Sequence, residues 1–267
     1  VPMVYYHVWD NYPPPMFNRD FYLSTDVIAS ISKLTHDVVG KVAPEVENYY
    51  LPHAVNSDIF KKLEEQDIQN FAKEHFKEKY DPNRVVFFWN NRNARRKMSG
   101  SVLWWFNEFA EEVGPEKVQL IMHTDPKDQH GQDLEQIINH LEADDGRIVL
   151  STQKVPPEIL SILYNFADCT VNISDAEGFG LATLESLSCE TPIIATMTGG
   201  LQEQVTDGEN WFGVGLEPSS TAIIGSQNVP YINEDRISRE SFMQAMRKMY
   251  NMTPEERSEL GKLGSQH

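Results

Sequence analysis

The sequence predicts an α/β fold, a Rossmann-like doubly wound parallel sheet preceded by the tail of a second α/β unit. Two observations predict it. From Arg84 onward short β-rich runs alternate strictly with helical patterns, and that alternation means a parallel sheet covered on both faces. The turn Glu177-Gly-Phe-Gly180 joins one such run to a helix, which puts a glycine-rich loop at the carboxyl end of a strand, where open parallel sheets bind ligands. With 267 residues, 40% of them hydrophobic and five tryptophans among them, the chain can bury a substantial core.

Along the chain, residues 1–60 read as the closing part of a first unit: a strand ending at His7, a proline-rich loop Asn11-Tyr-Pro-Pro-Pro15, and the segment Thr25 to Ser32. Residues 61–83 read as a charged connecting helix or linker, with Leu63, Ile68, Phe71 and Phe76 at roughly helical spacing. Residues 84–267 read as the sheet domain. Its first strand is Val85 to Trp89, followed by a helix from about Ser101 in which Val102, Trp105, Phe106, Phe109, Ala110 and Val113 recur at helical spacing. A strand Val118 to Met122, a helix Leu134 to Leu141, a strand Ile148 to Leu150, a helix Pro157 to Phe166 and a strand Cys169 to Asn172 continue the alternation. The helix opening near Gly180 and the strand Pro192 to Thr196 follow. Between Gly213 and Ser238 no periodicity is evident, and a loop that long suggests function or disorder. Thr253-Pro-Glu-Glu256 is a capping box that starts a last helix. Opening on Val1 inside a strand, the chain reads as cut at both ends and as incomplete for activity by itself.

The formal net charge of −17 argues against nucleic acid, whose binders carry basic patches. No apolar run reaches the roughly 18 residues that span a bilayer, while peripheral contact with a membrane stays open. Cys169 and Cys189 fall at predicted buried positions, read as small core thiols in a cytoplasmic, reducing setting. His123, His130 and His140 lack metal-ligand spacing and no Asp-x-Asp pair occurs, so no metal site and no cofactor is expected.

Two clusters carry chemistry. Glu177 and Glu185 stand eight residues apart. Around Glu177, Gly178 and Gly180 admit close backbone approach, and the helix N-terminus adds unpaired N–H donors suited to a phosphate or a sugar hydroxyl. Taken alone, Glu177 is equally read as a turn cap and Glu185 as an exposed helix residue. Asn90-Asn-Arg-Asn-Ala-Arg-Arg-Lys97 supplies cations directly after a strand, and is equally read as a solvated basic turn.

These pieces, in order and together with Gly199-Gly200, Glu203 and Asp207-Gly208, resemble the retaining nucleotide-sugar glycosyltransferases of the GT-B fold, family 4 (group 1). The resemblance implies that residues 84–267 are the C-terminal donor-binding domain and residues 1–60 the remnant of the N-terminal, acceptor-side domain. It implies a metal-independent transfer from a nucleoside-diphosphate sugar, as donor substrate, to an unknown acceptor, which could be a glycan, a lipid or a protein. Arg92 and Lys97 would contact the donor diphosphate, with Asn91 in place of the usual Gly in a turn tolerant of positive φ. Glu177 would meet the transferred sugar, Glu185 the ribose hydroxyls, the backbone of Gly178, Phe179, Gly180 and Leu181 the sugar and phosphates, and His7 the donor sugar across the cleft. Arg95 and Arg96 stay open between further phosphate contacts and a solvated turn. The alternative is a non-catalytic GT-B module that binds a nucleotide sugar or a protein partner. A nicotinamide-dependent enzyme would need a Gly-x-Gly-x-x-Gly turn after its first strand, which is missing.

Overall fold

The computed structural model describes residues 1–76 and 81–267. The end of the expected linker helix, 77–80, and the side chain of Phe76 lie outside that description.

A first unit pairs three parallel strands in the order β1 (Val4–His7), β2 (Val27–Ser30), β3 (Glu47–Tyr50). A short helix α1 (Arg19–Leu23) precedes β2. The helix α2 (Lys33–Val42) follows it, capped by Ser32, whose Oγ accepts from the Thr35 N–H. The linker helix α3 spans Glu65–Phe76.

The main unit is a six-stranded all-parallel sheet in the order β6 (Ile148–Ser151), β5 (Val118–His123), β4 (Val85–Asn90), β7 (Cys169–Asn172), β8 (Ile193–Thr196), β9 (Gly213–Leu216). Its helices are α4 (Ser99–Val113), α5 (Leu134–His140), α6 (Pro157–Phe166), α7 (Leu181–Ser188), the short α8 (Gln202–Val205), α9 (Arg239–Asn251) and α10 (Pro254–Gln266). Counting from β4, the strand order is 3-2-1-4-5-6, so the chain reverses direction across the sheet between β4 and β7. That reversal opens a crevice beyond the carboxyl ends of those two strands.

The sheet is hydrophobic on both faces because β4 is. Phe87 and Trp89 pack with Phe106, Phe109 and Phe242 on one side, while Val86 and Phe88 pack with Phe60, Leu163 and Tyr164 on the other. The α4 stripe read from the sequence is the buried one: Val102, Trp105, Phe106, Phe109 and Ala110 all face inward. Full burial of such a side chain contributes roughly 1.5–3 kcal/mol.

One segment differs from expectation. Within 213–238 the chain forms β9 and an antiparallel hairpin, β10 (Ser220–Ile224) with β11 (Ile232–Arg236). Its outward residues are polar or exposed on both strands, so no helical or strand stripe marks it. The last helix, α10, runs to Gln266, and its capping box at Thr253 and Glu256 is formed as read. No helix among the described residues is long and apolar enough to cross a membrane.

Candidate functional site

Two loops build the site. The first, after β4, is shaped by Asn93, fully buried, whose Nδ2 donates to the Gln132 carbonyl at 2.6 Å while its Oδ1 accepts from Ser99 Oγ at 2.7 Å. That network turns Arg95–Lys97 into a 3-10 turn and delivers Arg96 and Lys97 toward β7. The left-handed residue of this loop is Met98, φ 56°, and not Asn91 as the family pattern implied. Asn91 instead lines the crevice, with its buried Nδ2 unpartnered.

The second loop follows β7. The Asp175 N–H donates to the Arg96 carbonyl at 2.8 Å, so the two loops are joined main chain to main chain. The Gly200 N–H donates to the Glu177 carbonyl at 2.8 Å, and a Cβ on Gly199 would stand 1.9 Å from that same oxygen. Only glycine at 199 lets the loop after β8 clasp Glu177. Gly180, φ 96°, then starts α7 in a backbone conformation that side chains disfavour.

Lys97 and Glu177, 8% and 9% exposed, form an ion pair. Arg96 joins it, its Nη1 donating to the Glu177 carboxylate at 3.1 Å and to the Ala176 carbonyl at 2.7 Å. Burial pushes Glu177 up, but Lys97 and Arg96 outweigh it and hold the carboxyl below its ordinary range. Burial lowers Lys97, with Glu177 opposing.

Around this pair opens a cavity of about 350 Å³ lined by Asn91, Arg92, Arg96, Lys97, Glu177 and Gly178–Ala182, with Val8, Asp10, Ile31 and His53 from the first unit. Expected site residues Arg92, Lys97, Glu177, Gly178, Phe179, Gly180 and Leu181 are thus brought together. Arg92 is the loosest: its side chain is 59% exposed and forks onto Asp128, with Nε to Oδ2 at 2.6 Å and Nη2 to Oδ1 at 3.1 Å.

Two expected residues stand elsewhere. His7 is 3% exposed and points into the first unit, its Nε2 bonded to Tyr22 Oη at 2.8 Å and its ring against Tyr5. Burial lowers its pKa to about 4. Glu185 lies one turn up α7, outside the cavity lining, where it accepts from Tyr164 Oη at 2.7 Å, and Asn90 Nδ2 donates to that same hydroxyl at 2.7 Å.

Sequence reasoning missed Asp10, His53 and Glu234, and left Arg96 open between a phosphate contact and a solvated turn. Asp10 is three residues past His7, and the strand simply ends one turn earlier than the cavity does. His53 sits in the Leu51-Pro-His turn, with its Nδ1 on Tyr6 Oη at 2.8 Å and its ring edge-on to Phe179. Glu234, on the hairpin, is buried and accepts from Arg95 Nη1 at 3.0 Å and Arg236 Nη2 at 2.9 Å. That hairpin also reaches the first unit: Asp235 accepts from Asn11 Nδ2 at 2.7 Å, and the Asn233 N–H donates to the Tyr12 carbonyl at 2.6 Å. Among the described residues no group of three or more His, Cys, Asp or Glu is placed to hold a metal ion.

A larger cavity, about 850 Å³, lies at the opposite, amino edge of the sheet among Val85, Lys117, Asp168 and Arg257. Size does not decide between them. The glycine-flanked N-terminus of α7, the contact of Arg96 and Lys97 with Glu177 and the strand-order reversal belong to the smaller one.

The sequence profile described as glycosyl transferases group 1 matches residues 116–249, half of the chain. The chain belongs to the group 1 glycosyl transferases. A D-inositol 3-phosphate glycosyltransferase of Acidothermus cellulolyticus is 42% identical over 62 residues, 23% of this chain and 14% of that protein. Among solved structures, a sucrose-phosphate synthase of Thermosynechococcus elongatus superimposes with a TM-score of 0.73 at 19% identity, covering 94% of this chain and 55% of that one. The HepE protein of Anabaena, in complex with UDP and glucose, does so with a TM-score of 0.72 at 14% identity, covering 99% of this chain and 66% of that one. This group 1 glycosyl transferase therefore has the GT-B fold that its sequence predicts, and it spans between half and two thirds of the length of those two proteins.

Proposed function

We propose that the cavity beyond β4 and β7 is the donor site of a retaining glycosyltransferase, which moves a sugar from a nucleoside-diphosphate sugar to an acceptor without a metal ion. One observation carries the reading: two loops from the strand-order reversal bring Arg96, Lys97 and Glu177 into contact at the N-terminus of α7.

Glycosyl transfer breaks the bond between the anomeric carbon and the diphosphate, leaving positive charge on the sugar and negative charge on the leaving group. Arg96 and Lys97, held by the 3-10 turn, would receive the diphosphate, together with the N–H groups that open α7. Preorganised donors of this kind need no reorganisation as charge develops. The unpartnered Asn91 Nδ2 offers one further donor into the same space. Arg92 would join once released from Asp128.

Glu177 is kept ionised by its two cations. When the diphosphate takes those cations, the Glu177 carboxylate would stand free to face the developing positive sugar. Glu185, set back on α7, would accept from the ribose hydroxyls, since an ionised carboxylate only accepts.

The test is a panel of nucleotide sugars assayed for nucleoside-diphosphate release, with NMR of the anomeric proton in the first-formed product. Retained configuration, undiminished by EDTA, supports the proposal. Inversion, or turnover that EDTA abolishes, contradicts it.

A further inference from the structure

Asp10, in the loop after β1, carries a carboxyl from the first unit into the cavity, where Glu177 supplies a second. The two are held differently. Glu177 is gripped by Lys97 and Arg96, whereas Asp10 meets the backbone N–H of Gly178 and senses Arg96 and Lys97 at longer range. The approach is close: a Cβ on Gly178 would stand 2.9 Å from Asp10 Oδ1. Burial raises the Asp10 pKa, Arg96 opposes, and ionised Glu177 raises it further.

With the cavity empty, Arg96, Lys97, Glu177 and Asp10 sum to zero charge. A diphosphate diester brings two negative charges beside the two cations. Asp10 then faces like charge from Glu177 and from the phosphates, and a like charge within about 4–6 Å disfavours the ionised form. The other charged or titratable groups facing it are Arg92, already on Asp128, and His53, whose Nδ1 is on Tyr6.

We propose that binding of the donor diphosphate is coupled to uptake of one proton from solvent by Asp10. Protonation converts Asp10 from an acceptor on the Gly178 N–H into an O–H donor toward the bound molecule, and it frees that N–H for the donor as well. Asp10 is thus a substrate-binding residue whose charge yields to the substrate. This inference rests on the donor-site reading above.

Calorimetric titration with UDP-glucose, GDP-mannose and ADP-glucose, in buffers of different ionisation enthalpy at pH 6.5, counts the protons. The diphosphate of a nucleotide sugar has no group titrating near that pH, so the count belongs to the protein. For whichever donor binds, the wild type is expected to take up roughly half a proton to one proton per donor. Asp10→Asn should bind with uptake lost, and Asp10→Glu should restore it. Binding without uptake in the wild type overturns the proposal and leaves the donor site standing. Unchanged uptake in Asp10→Asn also overturns it, by placing the proton on another group. If none of the donors binds, the donor-site reading falls and this inference with it. The wild-type count decides even where a variant fails to fold.

Discussion

Lys97→Met removes the ammonium while keeping a side chain of similar length to fill its buried slot. At about 4 Å and an effective dielectric of about 20, the lost attraction to Glu177 is about 4 kcal/mol before desolvation is counted. Burial of both partners returns much of that, and Arg96, at 3.1 Å, still holds Glu177. The expected loss of stability is therefore about 1–3 kcal/mol, below the 3–5 kcal/mol of a buried charge left wholly unpaired. Turnover should fall further, by about 100- to 1000-fold, the scale of deleting one group that stabilises a developing anion. Arg96→Met should fall alongside it. Arg92→Met should lose clearly less, because Arg92 is 59% exposed and already engaged by Asp128. Urea denaturation reads the first quantity, and initial rates of nucleoside-diphosphate release read the second. Normal turnover in Lys97→Met, or an equal loss in Arg92→Met, would refute the reasoning, since either means a diffuse basic loop and not a buried clamp.

Glu177→Gln should depress kcat more than affinity, because a carboxylate beside the anomeric carbon contributes most when positive charge develops there; a raised KM with normal kcat would sink that assignment. Glu185→Gln should mainly weaken donor binding, by about 1.5–3 kcal/mol for one charge-assisted hydrogen bond, as read by calorimetry. Glu234→Gln should lower stability by about 1 kcal/mol or less, since Arg95, its partner, is 61% exposed, and should speed proteolysis within the hairpin; an unchanged cleavage rate would show that the hairpin is held elsewhere. His7 is buried neutral, with its pKa lowered from 6.5 to about 4. Its stability contribution is present in full above about 6.5 and is lost as pH falls toward about 4, by about 3 kcal/mol in all. His7→Gln should flatten the urea-denaturation profile in that window, and a profile as steep as the wild type's would place the titration on another group.

The sheet was legible because β4 to β8 and their helices each carry one unbroken hydrophobic pattern, and local pattern agreed with tertiary packing at Val102, Trp105, Phe106 and Phe109. The loop after β7 was legible for a different reason: Gly180 and Gly199 are dictated by backbone geometry, and such residues show in a sequence. The hairpin was not legible, because the constraint on β11 comes from Arg95, Asn11 and Tyr12, all distant in sequence. The same blindness explains Arg96. In sequence it is one of four basic residues in a charged turn, and only its side-chain bonds to the Ala176 carbonyl and the Glu177 carboxylate show it turning inward beside Lys97. His7 and Asp10 exchange places in relation to the cavity because β1 ends at His7, still within the packed layer, and the chain enters the crevice only beyond it.

The most direct test is a crystal structure with a bound nucleotide sugar. The account predicts the diphosphate between Arg96, Lys97 and the first N–H groups of α7, with the sugar toward Glu177 and Asp10. A nucleotide seated in the amino-edge cavity beside Asp168 and Arg257, or one that leaves the Lys97–Glu177 pair untouched, would contradict it.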